Sequence, residues 1–460
     1  MKEKKIFVCI MVIFIINAQL RIIAEPRTIT VLGTGYVGLI TGACFAEFGH
    51  TVICADTDAA KIDSLHQNIM PIYEPGLAEL VARNVDAQRL FFTTAIDKAI
   101  EQSDCIFIAV GTPMGADGCA DLSALNKAFS MIASHLNSHK IICVKSTVPI
   151  GTGSKLLNLL EEQGADPAVY DVVSNPEFLR EGSAIYDFMN PDRIVIGAYS
   201  QRARDCMKDL YETLIIQGVP CLFTSIASSE TIKYASNAFL ATKLSFVNEI
   251  SNLCDQTGAD IVDVAFGMGL DKRIGPAFLR PGPGFGGSCF PKDCHALFNM
   301  GNMYGVSLNL VSAALQTNEE QKKLPFKKLS KLMDYELTGK TIAVLGLAFK
   351  NNTDDVRYSP AITTIELLLA QGALIKAYDP AAIETMRKVF PHIQYCYSPY
   401  EAIEGAHGIV IMTEWDEFKS IDIARVSELV KTRILVDARN LLDPLELRKY
   451  DFVYAMMGRP

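Results

Sequence analysis

The chain has 460 residues, 49% hydrophobic and 21% charged, an ordinary globular composition that excludes disordered, collagen-like and coiled-coil proteins. At about 150 residues per domain it divides into roughly two to four domains, each able to bury a core without disulfide staples. Lys plus Arg number 43 against 52 Asp plus Glu, a net charge of −9, which excludes a general nucleic-acid binder but not local anion binding by backbone amides and a few arginines.

Residues 1–27 stand apart. Met1 to Lys5 carries three lysines, Ile6 to Ile16 is an eleven-residue apolar run, and Ala18 and Ala24 are small. These are the charged and apolar regions of a signal peptide without an A-x-A cleavage site, and the run is too short to span a bilayer. The segment is read as an extension outside the core, signal-like or a mis-assigned start. A membrane tether through residues 6–23 is the minor alternative.

Thr28–Leu32 reads as a strand ending in Gly33-Thr34-Gly35-Tyr36-Val37-Gly38. An apolar helix to Phe48 and a second strand, Thr51–Ala55, follow, closed by Asp56. In such a βαβ unit the glycines give a tight turn, close approach of backbone to a pyrophosphate, and close helix–strand packing. The helix N-terminus offers free amides to phosphate. Asp56 is placed to accept bonds from the adenosine ribose and to repel a 2′-phosphate, which favours NAD over NADP. Further strands at Cys105–Val110 and Ile141–Lys145, alternating with helices, imply a parallel sheet covered on both faces. Glu177 follows a strand at Val172–Val173, where open α/β sheets bind ligands, although a surface acid is a serious alternative.

From Cys221 to Thr257 there is neither Gly nor Pro, and Ile232, Ala235, Phe239, Phe246, Ile250 and Leu253 keep a helical apolar face. A helix of some 30 residues there would span about 45 Å, a connector that also packs against a partner. Lys233 and Asn237 share a face of it, and spacing alone favours an exposed polar surface. The segment Pro281 to Asp293 is the densest signal. Its glycines admit a ligand, Pro291 suits a first helical turn, and Cys289 stands at a helix N-terminus beside Lys292, a setting that lowers a thiol pKa. The 12 cysteines have neither framework nor zinc spacing, and with the dinucleotide signature they predict a reduced, cytoplasmic protein without metal.

After a charged linker, Lys322–Asp334, the early pattern returns. Thr341–Leu345 leads into Gly346-Leu347-Ala348-Phe349-Lys350, a helix runs from about Ser359 to Gln371, and a strand at Ala373–Tyr378 ends at Asp379. Strands at Gly408–Met412 and Arg433–Val436 follow. The glycine turn has decayed and a loop, Asn351–Pro360, carries Asp354, Asp355 and Arg357. This half should bind something other than a dinucleotide.

Together these segments, with Met70 to Gly76, Lys145 to Pro149 and Asn175 to Leu179, resemble the UDP-glucose 6-dehydrogenase family from Thr28 to the C-terminal region. The resemblance implies an α/β fold of two doubly wound Rossmann-like domains joined by a long central helix and an all-α dimerisation region. Its parts are an NAD-binding domain at 28–212, a central helical domain at 213–325 with the cysteine loop and dimer contacts, and a UDP-sugar-binding domain at 326–460. It implies four-electron oxidation of UDP-glucose to UDP-glucuronate with two NAD per turnover, in a homodimer or higher homo-oligomer.

The resemblance makes Cys289 a nucleophile that holds the aldehyde as a thiohemiacetal and then a thioester. Lys233 and Asn237 match groups that stabilise oxyanion charge and position water, Asp293 a carboxylate assisting them, Glu177 a base for thioester hydrolysis, and Thr147 a water-positioning hydroxyl. Lys61, Thr112, Thr147, Glu181, Lys292 and Arg357 fall to the NAD site with the glycine turn and Asp56. Phe178, Leu179, Phe278, Gly286, Lys350 and Arg439 fall to the substrate, joined by Arg273 from a partner subunit. Asp437-Ala438-Arg439 departs from the commoner Asp-Gly-Arg. UDP-N-acetylmannosamine or GDP-mannose oxidation, and a non-catalytic nucleotide-sugar binder, are the alternatives.

Overall fold

The computed structural model describes residues 25–459; the extension expected at 1–27 therefore lies, up to residue 24, outside the described residues. The first sheet has eight strands: β1 (Thr28–Leu32), β2 (Thr51–Ala55), β3 (Leu90–Thr93), β4 (Cys105–Ile108), β5 (Lys140–Val144), β6 (Tyr170–Ser174), β7 (Ile194–Ala198) and β8 (Cys221–Thr224). Their order is β3-β2-β1-β4-β5-β6-β7-β8. Six run parallel, and β7 and β8 run the other way through an antiparallel β6–β7 seam, Val173 opposite Ala198. The all-parallel sheet expected from the sequence is thus mixed at one edge. Every residue of β4 and β5 is buried, as strands covered on both faces require.

Helix α1 (Tyr36–Glu47) follows β1, and the chain crosses from β1 to its other neighbour, β4, at the point where strand order reverses. A Cβ on Gly38 would stand 1.9 Å from the Gly33 carbonyl oxygen, so helix and turn touch through glycine alone. A Cβ on Gly35 would meet nothing within 4 Å. Space is left there for a ligand rather than for packing.

The long helix α2 (Ile226–Thr257) has 32 residues, about 48 Å at 1.5 Å per residue. The Ser225 side chain caps its start by accepting from the Ser228 amide, and Gly258 at φ 76° ends it. Its expected apolar face is not the one turned inward. Phe239, Phe246 and Leu253 are 66%, 46% and 57% exposed, whereas Lys233, Asn237, Ser245, Asn248 and Ser251 are buried. The inward face mixes these polar residues with small and apolar ones, Tyr234, Ala238, Ala241, Val247 and Cys254, and some of its polar side chains bind neighbouring backbone. Ser245 Oγ donates to Ala314 O at 2.7 Å, and Asn248 Oδ1 accepts from the Gly282 amide at 2.9 Å. Around α2 lie α3 (Ile261–Gly269), α4 (Phe290–Met303) and α5 (Asn309–Gln321).

The stretch read as a charged linker is largely helix α6 (Leu324–Leu332). Leu329 and Met333 enter the core of the second sheet, while Lys323, Lys327 and Lys331 stay in solvent. Four residues of spacing put the leucine and methionine on one face, a pattern masked by the lysines.

The second sheet is parallel throughout, ordered β11-β10-β9-β12-β13-β14, with β9 (Thr341–Leu345), β10 (Leu374–Tyr378), β11 (Gln394–Tyr395), β12 (Gly408–Ile411), β13 (Ile434–Asp437) and β14 (Val453–Met456). Its Asp379 occupies the place that Asp56 has in the first sheet but is buried. It accepts from the amides of Leu347, Ala348, Ala381 and Ala382 at 2.7–3.0 Å and from Trp415 Nε1 at 3.1 Å. The carboxylate is consumed by the turn itself, so this sheet end lacks a ribose acceptor of the first kind.

The two glycines of the first turn separate by their steric surroundings. Gly38→Ala should cost about 1–3 kcal/mol by forcing α1 off the turn. Gly35→Ala should cost under about 1 kcal/mol, the penalty of a poorer N-cap. Urea unfolding of both variants checks the order.

Candidate active site

The nucleotide end of the site begins at Gly33, whose φ of +96° turns the chain between β1 and α1. Gly35 stands at the N-cap with no side chain over the first amides of the helix, which leaves them to an anion. Tyr36 and Val37 form the first turn, and the Tyr36 hydroxyl is held by Glu74 and by the Gly182 amide. Asp56 Oδ2 accepts from the Thr34 amide and hydroxyl, both at 2.8 Å. Burial alone would raise its pKa, but the bonds from Thr34 and Asp58 hold it below the usual value, so it is anionic at neutral pH. Lys61 Nζ lies 3.9 Å from it. On the neighbouring turns, Thr112 Oγ1 donates to Thr147 O at 2.8 Å. These groups fit the adenosine and pyrophosphate end of NAD.

At the carboxyl end of β6, Asn175-Pro176-Glu177-Phe178-Leu179 wraps a cavity of about 710 Å³. Glu177, Phe178, Leu179, Lys233, Asn237, Phe278 and Cys289 all line it. Lys233 Nζ donates to Glu177 Oε1 at 2.9 Å, and both side chains are about 95% buried. Burial would raise the carboxyl and lower the ammonium, yet each holds the other charged: Glu177 is shifted down, with help from the Leu179 amide and Lys145, and Lys233 is shifted up. Four residues along α2, Asn237 Nδ2 donates to Asp293 Oδ2 at 2.6 Å, and Lys292 Nζ pairs with Asp293 Oδ1 at 2.5 Å. Lys233 and Asn237 therefore face the site, not solvent.

Cys289 caps α4, and its carbonyl accepts from the Asp293 amide at 2.8 Å. Its thiol is not activated as its place in the sequence suggests. It is pushed up to about 11, first by burial and then by Glu177 and Asp293, against which Lys233 is insufficient. Lys292, the neighbour expected to help, is turned to Asp293.

The remaining predicted residues divide. Gly286 packs under the second sheet's loop, where a Cβ would stand 2.4 Å from Tyr358 O. Lys350 donates to the Glu181 carbonyl, and Arg357 Nη2 lies 3.7 Å from the Glu181 carboxylate and 2.7 Å from Asp355. Arg439 binds Met412 O and Phe349 O and pairs with Glu414 at 3.0 Å. Arg273, its side chain 89% exposed, pairs only locally with Asp271 and joins none of these groups. Thr147 belongs to the Thr112 turn and does not line the cavity.

Sequence reasoning left several site groups without a role. Lys145, fully buried, is pulled down to about 8 by burial and binds Asn175 Oδ1 and the Tyr211 hydroxyl. Arg193 stacks 3.5 Å from the Phe178 ring centre. Ser288 lies between Glu181 and Cys289. The signal for Lys145, Asn175 and Ser288 was present in their motifs, whereas Arg193 carries none outside three dimensions. Among the described residues, no group of three or more His, Cys, Asp or Glu could hold a metal, and no helix is long and apolar enough to cross a membrane.

Comparison with known proteins agrees with this geometry. The UDP-glucose/GDP-mannose dehydrogenase family matches in three parts: its NAD binding domain at residues 27–215, its central domain at 227–320 and its UDP binding domain at 343–444. The chain is 47% identical over 435 residues to UDP-glucose 6-dehydrogenase TuaD of Bacillus subtilis, covering 94% of each. It is also 47% identical to the UDP-glucose 6-dehydrogenase of Rhizobium meliloti, over 94% of this chain and 99% of that one. Among solved structures, a UDP-glucose dehydrogenase from the hyperthermophilic archaeon Pyrobaculum islandicum superposes with a TM-score of 0.88 at 36% identity, covering 95% of this chain and 99% of that chain. With two Rossmann-like sheets, an NAD-type glycine turn and a cysteine facing a buried Lys–Glu pair, the chain belongs to the UDP-glucose/GDP-mannose dehydrogenase family and is an NAD-dependent dehydrogenase.

Proposed function

We propose that the protein is a UDP-glucose 6-dehydrogenase that converts UDP-glucose to UDP-glucuronate without releasing the aldehyde. The observation that carries this reading is the convergence of Cys289, the Lys233–Glu177 pair and Asn237, itself bonded to Asp293, at one cavity. Relatives named for UDP-glucose, at 47% identity over nearly the whole chain, support that sugar over UDP-N-acetylmannosamine and GDP-mannose.

The glycine turn, Asp56, Lys61 and Thr112, with Thr147, Glu181, Lys292 and Arg357, would hold NAD, which would supply a hydride acceptor for each of the two oxidations. The chain's own residues do the rest. Lys233 and Asn237 hold the developing oxyanion, a role in which one donor is worth about 10²–10³ in kcat. Cys289 adds to the C6 aldehyde, giving a thiohemiacetal that is oxidised to a thioester. Glu177 then takes a proton from water as it attacks the thioester, releasing the carboxylate and restoring the thiol. Water supplies the second oxygen of the acid. Phe178, Leu179, Phe278, Gly286, Lys350 and Arg439 form the sugar-nucleotide side, and the central part of the chain, 213–325, joins the cofactor part, 28–212, to the UDP part, 326–460.

Exposed Phe246 and Leu253 on α2, with Phe266 on α3 and Leu270 just after it at 69% and 68%, support a homodimer buried along these helices. In it, Arg273 would reach a partner subunit's cavity.

Three measurements test this reading. UDP-glucose should yield two NADH per molecule with no aldehyde trapped by a hydrazide, and UDP-N-acetylmannosamine and GDP-mannose should be poor substrates. A ratio of one removes the cysteine mechanism. Glu177→Gln should slow turnover by about 10²–10⁴-fold, and mass spectrometry of the variant quenched during turnover should find a glucuronyl adduct on Cys289. Phe246→Glu combined with Leu253→Glu should convert a dimer to a monomer in light scattering.

A further inference from the structure

A thiol held at about 11 cannot wait as a thiolate at neutral pH, so its proton must leave as the sulfur attacks. Two of the carboxylates near Cys289 are already engaged by cations. Glu177 is paired with Lys233, and Asp293 with Lys292, with Asn237 on its other oxygen. A third, Glu181, is connected to the sulfur through a hydroxyl. Ser288 Oγ donates to Glu181 Oε1 at 2.9 Å and lies 3.5 Å from Cys289 Sγ. A serine hydroxyl has one proton. With that proton on Glu181, the Ser288–Cys289 contact is made by the thiol S–H donating to Ser288 Oγ. Both hydrogen bonds then point from the sulfur toward the carboxylate.

We propose that Ser288 relays the Cys289 proton to Glu181 as the sulfur adds to the aldehyde, which makes Ser288 a working part of the second oxidation and gives Glu181 a task beyond the cofactor site. This rests on the dehydrogenase reading above. As the C–S bond forms, the S–H bond breaks and its proton passes to Ser288 Oγ. The serine's own proton passes to Glu181 Oε1, and the carbonyl π pair moves to the oxygen held by Lys233. No electron is gained or lost in the step; hydride departure follows it.

The surroundings suit a proton acceptor. Burial, and then Asp355, raise Glu181 to about 7, while Ser288, Arg357 and Lys350 moderate the rise. Thr353 Oγ1 lies 3.4 Å from Glu181 Oε2, and Tyr36 is the facing titratable group from α1. Around the sulfur, the facing charges are Glu177, Lys233, Asp293 and Arg357. Asp355, Arg357, Lys350 and Thr353 all come from the segment after β9. The second Rossmann-like half therefore sets the basicity of a group that serves a cysteine outside it.

The sign of the pH effect follows. Glu181 accepts a proton only when ionised, so oxidation of the aldehyde should rise with pH through about 7 and then level off. The test is single-turnover NADH formation from the UDP-hexodialdose aldehyde with NAD saturating, across pH 5.5–9 (about the stability range of the buffers). Wild type should show the acid limb. Ser288→Ala and Glu181→Gln should lose it and slow the step by about 10²-fold, while Ser288→Thr, which keeps a hydroxyl, restores it. Starting from UDP-glucose, Ser288→Ala should release hydrazide-trappable aldehyde with close to one NADH per sugar, a selective loss that general misfolding does not give. An acid limb surviving in both Ser288→Ala and Glu181→Gln, or alcohol and aldehyde oxidation slowed equally, overturns the relay. A wild-type yield of one NADH would instead overturn the underlying reading.

Discussion

A buried ion pair organises this molecule. Lys233, from the middle of α2, and Glu177, from the loop after β6, meet at 2.9 Å with almost no exposure. Two charges removed from water cost several kcal/mol each unless their remaining bonding capacity is satisfied. Glu177 is also held by the Leu179 amide at 2.6 Å, and Lys145 anchors the same loop through Asn175. Removing one partner would leave an uncompensated charge, at a cost of about 3–5 kcal/mol. Such a pair is a poor route to stability when apolar residues of equal volume would pack as well. Its retention here makes sense as chemistry: it fixes a donor and a carboxylate side by side in the wall of one cavity and couples the sheet to the helix that separates the two halves.

That coupling explains why α2 reads the wrong way round. Its length and caps follow from the absence of Gly and Pro and from Ser225 and Gly258, and these were readable directly. Its orientation was not. Periodicity locates an apolar stripe but assumes that the stripe faces the chain's own core. Here the inward face mixes small and apolar residues with serine, asparagine and lysine, several of them bonded to backbone or to carboxylates, and the large apolar side chains Phe239, Phe246 and Leu253 are left outside. The same blind spot applied to α6, where lysines on the solvent side hid the alternation of Leu329 and Met333.

The two sheets show where local sequence is enough. Gly33, Gly35, Gly38 and Asp56 lie within one βαβ unit, so their spacing carries most of their geometry. In the second sheet the equivalent acid, Asp379, keeps its position along the chain and changes its work, closing a turn through four amides and Trp415. The 33 residues from Gly346 to Asp379, against 23 from Gly33 to Asp56, mark the inserted loop but not what the carboxylate does. The difference lies in what the following backbone does, and Gly346 is tight against Thr413, just after the neighbouring strand β12. Cys289 falls between these cases. Its place at a helix start was readable, but its proton affinity depends on Glu177 and Asp293, brought to it by the fold, and on Lys292 facing away.

A protonated cysteine is a coherent choice for this reaction. Thiolates are what oxidants and alkylating agents attack, so a resting thiol is chemically quiet until an aldehyde occupies the cavity. In the proposed mechanism the same high proton affinity creates a difficulty at the other end, because a thiolate of high pKa would leave slowly when a thioester is hydrolysed. A base that takes the proton during addition must, by microscopic reversibility, be able to return it during expulsion. A carboxylate near 7 linked to sulfur by one hydroxyl meets both demands. Glu177 would draw the proton from water on one side of the thioester while Glu181 returns one to the departing sulfur on the other. Two carboxylates four positions apart in one loop would then differ in task because Lys233 holds one ionised while burial, and then Asp355, raise the other to about 7.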